Sequence, residues 1–116
     1  KTEKMNYLAK LDKEKVDYIK KFDNYPLKLR FDLWVKHLSD ETNFNDYFIP
    51  EENEVGLFKK VRCKKLTNYT LDLDRSNWVK FNKLCRSNKM SGNYALNLLV
   101  NDFVENGNIF TVSISI

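Results

Sequence analysis

LTNYTLDLDRSNWVKFNKLCRSNKMSGNYALNLLVNDFV, residues 66–104, decides how the rest of this chain is read. Tyr69, Leu71 and Leu73 alternate with Asn68, Thr70 and Asp72. That period of two predicts a short strand with one buried face. The period then lengthens. Trp78, Phe81, Leu84 and Cys85 recur at helical spacing, and so do Ala95, Leu96, Leu99, Val100 and Phe103, which predicts two amphipathic helices. Between them, residues 88–93 break the pattern, and Ser91 is placed to cap the second helix. Asp74 is placed to cap the first. One strand of this length is not stable alone. It needs a partner strand, from elsewhere in this chain or from a second copy.

The order strand-helix-helix resembles the ribbon-helix-helix family of DNA-binding proteins. The likeness covers about a third of the chain. Its best part is Met90-Ser91-Gly92-Asn93-Tyr94-Ala95-Leu96, similar to the apolar-Ser-x-Ser-x-Ala-apolar start of that family's second helix. The resemblance implies a homodimer whose paired strands enter the major groove of double-stranded DNA. Carried over by position, Asn68, Thr70 and Asp72 would face the bases. Ser91, Gly92 and Asn93 would offer backbone N–H groups to a phosphate. Asp72 departs from the pattern, because the family usually has Arg, Lys, Thr, Asn or Gln there. A carboxylate is repelled by phosphate, although it can accept a bond from cytosine N4.

Charge is partitioned along the chain. The net +4 is the sum of −2 over residues 1–54, +8 over residues 55–90 and −2 over residues 91–116. Lys59, Lys60, Arg62, Lys64 and Lys65 lead the basic segment, and they are the expected phosphate-neutralising residues. The plainer alternative is a solvated face balanced by Asp40, Glu41, Asp46, Glu51, Glu52 and Glu54.

Upstream, Leu8, Leu11, Tyr18, Ile19 and Phe22 form an imperfect helical stripe. Pro26 ends it, and a second helix is expected over residues 26–38, with Leu27, Phe31, Trp34 and Leu38 on one face. Residues 39–45 read as a polar break, and residues 47–50 as a short apolar loop packed against the body. Residues 51–65 fit helix and strand equally. Phe110, Val112, Ile114 and Ile116 alternate with polar residues, which predicts a terminal strand over residues 108–116. No internal repeat, low-complexity tract or linker is read. The expected fold is therefore mainly α with short strands, in a single domain over residues 1–116. A helical N-terminal half (residues 1–50) precedes the ribbon-helix-helix-like unit (residues 66–104) and the terminal strand.

Catalytic chemistry is not expected. His37 is the single histidine and reads as a surface or packing residue. Cys63 and Cys85 are isolated and read as reduced thiols. Together with His37 they lack the close pair spacing of a zinc site. Asp72 and Asp74 lie two apart on a strand, so they point the same way, as a metal-binding pair would. A two-metal site also needs further carboxylates and a phosphate cradle, so a capping role for Asp74 is preferred. No catalytic, metal or cofactor site is assigned. No apolar run is long enough to cross a bilayer, no charged-then-apolar leader is seen, and the start at Lys1 reads as trimmed. The expected location is the cytoplasm. The expected function is DNA binding, as a repressor or accessory factor of a mobile element. The alternative is a non-catalytic subunit that docks on a larger DNA replication or processing enzyme. It is favoured by Asp72, by the expected terminal strand and by the aromatic residues Tyr7, Tyr18, Tyr25, Trp34, Tyr47 and Phe48.

Overall fold

Asn-Tyr-x-x-x-Leu-Asp occurs twice, at residues 6–12 and 68–74, and in the structure both copies are strands. The computed structural model describes residues 3–22, 24–48 and 65–106. Strand β1 (Lys4–Asp12) leads into helix α1 (Lys13–Phe22), then α2 (Leu27–Leu38) and α3 (Glu41–Tyr47). Strand β2 (Leu66–Asp74) leads into α4 (Arg75–Ser87) and α5 (Gly92–Asn106). The described part is thus mostly helical around one two-stranded antiparallel sheet.

The expected N-terminal helix is half strand. Met5, Tyr7, Ala9 and Leu11 point inward, while Lys4, Asn6, Leu8 and Lys10 face solvent. Leu8, which fits a helical stripe by spacing, is 60% exposed. Helix begins only after Asp12, whose Oδ1 accepts the Lys15 N–H at 3.3 Å. In α1 the buried residues are Val16 and Ile19, whereas Tyr18 and Phe22 remain exposed.

β1 is the partner that β2 requires. Asn6 lies opposite Asp72, Leu8 opposite Thr70 and Lys10 opposite Asn68. The ribbon therefore closes within one chain and needs no second copy, unlike the homodimer implied by the resemblance.

The two strand-helix-helix halves are related by an approximate two-fold axis through the Leu8–Thr70 pair, so the chain does contain an internal repeat. Residue i of β1–α1 corresponds to i + 62 of β2–α4. Asn6, Tyr7, Leu11 and Asp12 match Asn68, Tyr69, Leu73 and Asp74. The buried Val16 and Ile19 match the buried Trp78 and Phe81. Even the flanking bonds repeat: Lys13 N–H donates to the Lys65 carbonyl, and Arg75 N–H to the Glu3 carbonyl. For the second helices the offset is 65. Phe31, Trp34 and Val35 match Leu96, Leu99 and Val100, all buried. Asp32 Oδ1 accepts the Asp74 N–H, and Asn97 Oδ1 accepts the Asp12 N–H, each at 3.1 Å.

The halves are interlocked. α2 packs on β2 and α4, and α5 packs on β1 and α1. Each second helix thus covers the other half's strand and first helix. The core filling is uneven. Ala9, Val16 and Ile19 stand where the other half has Leu71, Trp78 and Phe81.

α3 has no counterpart among the described residues and occupies part of the expected polar break. Asp40 starts it by accepting the Asn43 N–H at 3.1 Å. Phe44 buries one face, its ring tilted against Phe48 and edge-on to Phe81. Tyr47 closes α3 and Phe48 caps it, so this part of the expected apolar loop is packed as expected. Tyr47 also hydrogen-bonds Asp102, and burial foremost raises its phenol far above the ordinary value. The expected terminal strand and all of residues 51–64 lie outside the described residues.

α4 ends in a turn that satisfies its last carbonyls. Met90 N–H donates to Cys85 O at 3.1 Å and Lys89 N–H to Arg86 O at 3.0 Å. Lys89 adopts φ 61° there, the left-handed position that glycine usually fills.

Candidate nucleic-acid interface

The outward row of the ribbon is Lys4, Asn6, Leu8 and Lys10 on β1, and Leu66, Asn68, Thr70 and Asp72 on β2. All eight are exposed because the inward row of the same strands is committed to the core. Asn68, Thr70 and Asp72 are therefore side by side on an accessible surface. The β1 residues Asn6, Leu8 and Lys10 complete that surface, and periodicity alone misses them. The repeated Asn-Tyr-x-x-x-Leu-Asp is the signal that finds them.

Asp74 does not share Asp72's surroundings. It is buried, and its Oδ1 accepts the Asn77 N–H at 3.0 Å. That is the helix-capping role expected from its position. Among the described residues no cluster of His, Cys, Asp and Glu could hold a metal ion.

The α5 start fixes the Lys10 end of the ribbon. Asn93 grips the Lys10 backbone on both sides, accepting its N–H at 2.8 Å and donating to its carbonyl at 3.0 Å. Asn97 donates to that same carbonyl at 2.9 Å. Asn97 is buried, so these bonds replace water that the strand end would otherwise need. Lys28 stands at the position equivalent to Asn93. An ammonium has donors but no acceptor, so the same double grip cannot form at the Asp72 end.

Ser91 caps α5 as expected, its Oγ accepting the Tyr94 N–H at 3.0 Å. Ser91 is exposed, Asn93 half-buried and Gly92 buried. A Cβ at Gly92 would lie 2.6 Å from Trp78 Cη2, 2.9 Å from Trp78 Cζ2 and 2.9 Å from Asn82 Oδ1. Gly92→Ala should therefore displace the α5 start or the Trp78 ring, which also packs against Tyr7 in a tilted arrangement at 4.3 Å. The expected loss is about 1–3 kcal/mol of stability, read as a lower thermal midpoint. An unchanged midpoint would show that the ring moves aside freely.

Lys65 is exposed at the start of β2. Lys59, Lys60, Arg62 and Lys64 lie outside the described residues. On α4, Arg75, Lys80, Lys83 and Arg86 are exposed, as is Lys89 just beyond it. Arg75 pairs with Glu3 at 3.4 Å on the surface, a contact of small energetic weight.

Reactive side chains are few among the described residues. Burial pushes the Cys85 thiol up to about 12, which leaves it protonated and inert. His37 is half-buried on α2, and its backbone carbonyl accepts a bond from Asn43. Desolvation raises the Tyr7 and Tyr69 phenols above their ordinary values. None of the described helices is long and apolar enough to cross a membrane. No family model matches this chain, and neither a curated protein nor a solved structure matches it.

Proposed function

We propose that this chain is a small DNA-binding module, a repressor or accessory factor of a mobile element. In this reading it lays the β1–β2 ribbon in the major groove of double-stranded DNA. The observation that carries it is the outward row of the ribbon. Asn6, Asn68, Thr70 and Lys10 are exposed together on a two-stranded surface. A ribbon of two strands fits the major groove, and these side chains match base edges: Asn pairs with adenine N6/N7, Lys with guanine O6/N7. The second strand-helix-helix half gives further support to the resemblance to the ribbon-helix-helix family, with one chain in place of two. Lys59, Lys60, Arg62, Lys64 and Lys65, in the segment of net +8, would neutralise phosphates. Backbone N–H groups of Ser91, Gly92 and Asn93 would meet a phosphate beside the Lys10 end.

Asp72 supplies the test. Its carboxylate opposes any duplex against the ribbon, so Asp72→Asn should tighten non-specific binding. The gain should be on the order of threefold at low salt and fade as salt screens the charge. Binding curves on an AT-rich and a GC-rich duplex at two salt concentrations measure this. If no curve responds, the ribbon does not sit in a groove.

The second reading, a subunit docking on a larger DNA-processing enzyme, draws on the exposed Leu8, Tyr18, Phe22, Leu29 and Val79 as well as on Asp72. Aromatic and aliphatic side chains of this kind anchor protein interfaces.

A further inference from the structure

The exposed row breaks the approximate two-fold symmetry in charge at two places, Lys4 against Leu66 and Lys10 against Asp72. Under i → i + 62, Asn6 maps onto Asn68 and Leu8 onto Thr70, but Lys10 maps onto Asp72. All six side chains lie on the exposed row. Leu8 and Thr70 are paired at the axis, and on either side of them an asparagine faces a charged residue, Asn68 opposite Lys10 and Asn6 opposite Asp72. The row's two ends differ in charge: Lys10 stands with Asn68 and Leu66 at one, and Asp72 with Asn6 and Lys4 at the other, where Lys4 is paired with Asp32 at 3.1 Å. The Lys10 end is held by Asn93 and Asn97, a grip that Lys28 cannot reproduce at the Asp72 end.

We propose that one chain recognises a non-palindromic duplex site. This rests on the reading of the ribbon as a major-groove element. Duplex DNA has local two-fold symmetry, so a symmetric protein selects a palindrome and an asymmetric one does not. Leu8 and Thr70 contact thymine methyl groups in the middle, and the two asparagines select adenines on either side. At one end Lys10 donates to guanine O6 and N7. At the equivalent position on the opposite strand Asp72 accepts from cytosine N4 and repels guanine, whose major-groove edge carries acceptors only. Along one strand the preferred site therefore has guanine at both ends, where a palindrome would have guanine at one end and cytosine at the other.

The test is selection of bound duplexes from a random pool by the full chain and by Asp72→Lys, with stoichiometry from sedimentation. Position 72 is exposed, so the substitution leaves the core intact. The natural chain should enrich a non-palindromic site at one chain per duplex, bound roughly tenfold more tightly than its palindromic counterpart. Asp72→Lys makes positions 10 and 72 alike and should shift the enriched site to a palindrome with guanine at one end and cytosine at the other. A palindrome enriched by the natural chain, or two chains per duplex, would overturn the proposal while leaving DNA binding in place. An unshifted site with Asp72→Lys would also overturn it. Absence of any duplex binding would remove both the proposal and the reading beneath it.

Discussion

Leu73→Asp and Leu11→Asp are each expected to abolish cooperative folding, and to do so to the same degree. Both leucines are fully buried, and they occupy equivalent inward positions on the two strands. Each substitution removes a buried aliphatic side chain and places a carboxylate where no cation or donor awaits it. The lost burial costs about 2–5 kcal/mol, and the unpaired charge adds several more before the group protonates or the site opens. A domain of this size has a total stability of about 5–15 kcal/mol, so most of it is consumed. Circular dichroism and urea titration measure the outcome. Leu8→Asp is the matching control, because Leu8 sits on the same ribbon but faces solvent. It should fold as the natural chain does. If Leu11→Asp were tolerated while Leu73→Asp was not, β1 would not be the partner of β2.

Trp34→Ala should cost about 3–5 kcal/mol, the usual range for emptying a buried aromatic site. Trp34 is fully buried. It meets Phe31 edge-on at 5.2 Å and Phe103 edge-on at 5.6 Å, a geometry that adds to simple area burial. Trp34→Phe should be far milder. The indole Nε1 has no hydrogen-bond partner among the described residues, so exchanging the ring for phenyl strands no acceptor and removes a donor that is costly to bury. Equilibrium unfolding of the two variants separates cavity from chemistry. Equal losses would mean that the indole makes a polar contact essential to the fold.

Sequence periodicity reveals β2, α4, α2 and α5, with Asp74 and Ser91 as caps, because in those segments the apolar positions obey one period cleanly. It fails at β1 for a specific reason. Leu8 faces outward beside the inward Ala9, so the larger of these two neighbours marks the wrong face and Leu8–Leu11 imitates a helical step. α3 is hidden by its composition, since only Phe44 and the closing Tyr47 are apolar in Glu41–Tyr47. The internal repeat is hidden by its packing. Ala9 against Leu71, Val16 against Trp78 and Ile19 against Phe81 keep burial but not size, since each half fills a different volume. Only Asn-Tyr and Leu-Asp survive as identities where the ribbon forms and turns into helix. Of the candidate interface, the β2 side is legible from residues 68–72, while the β1 side depends on seeing that repeat.

The interlocking of the halves sets the order of events during synthesis. When α2 leaves the ribosome, the strand and helix that cover its apolar face have not yet been made. β2 begins at Leu66 and α4 ends at Ser87. At about 5–20 residues per second, α2 waits several seconds with Phe31, Trp34 and Val35 uncovered. α5, made after β2 and α4, then closes over β1 and α1, made well before them. The amino-terminal half is therefore an unfinished object that must be kept from sticking to others until its complement arrives. For the same reason two fragments divided between α3 and β2 would each lack a core, and would acquire one only by joining each other.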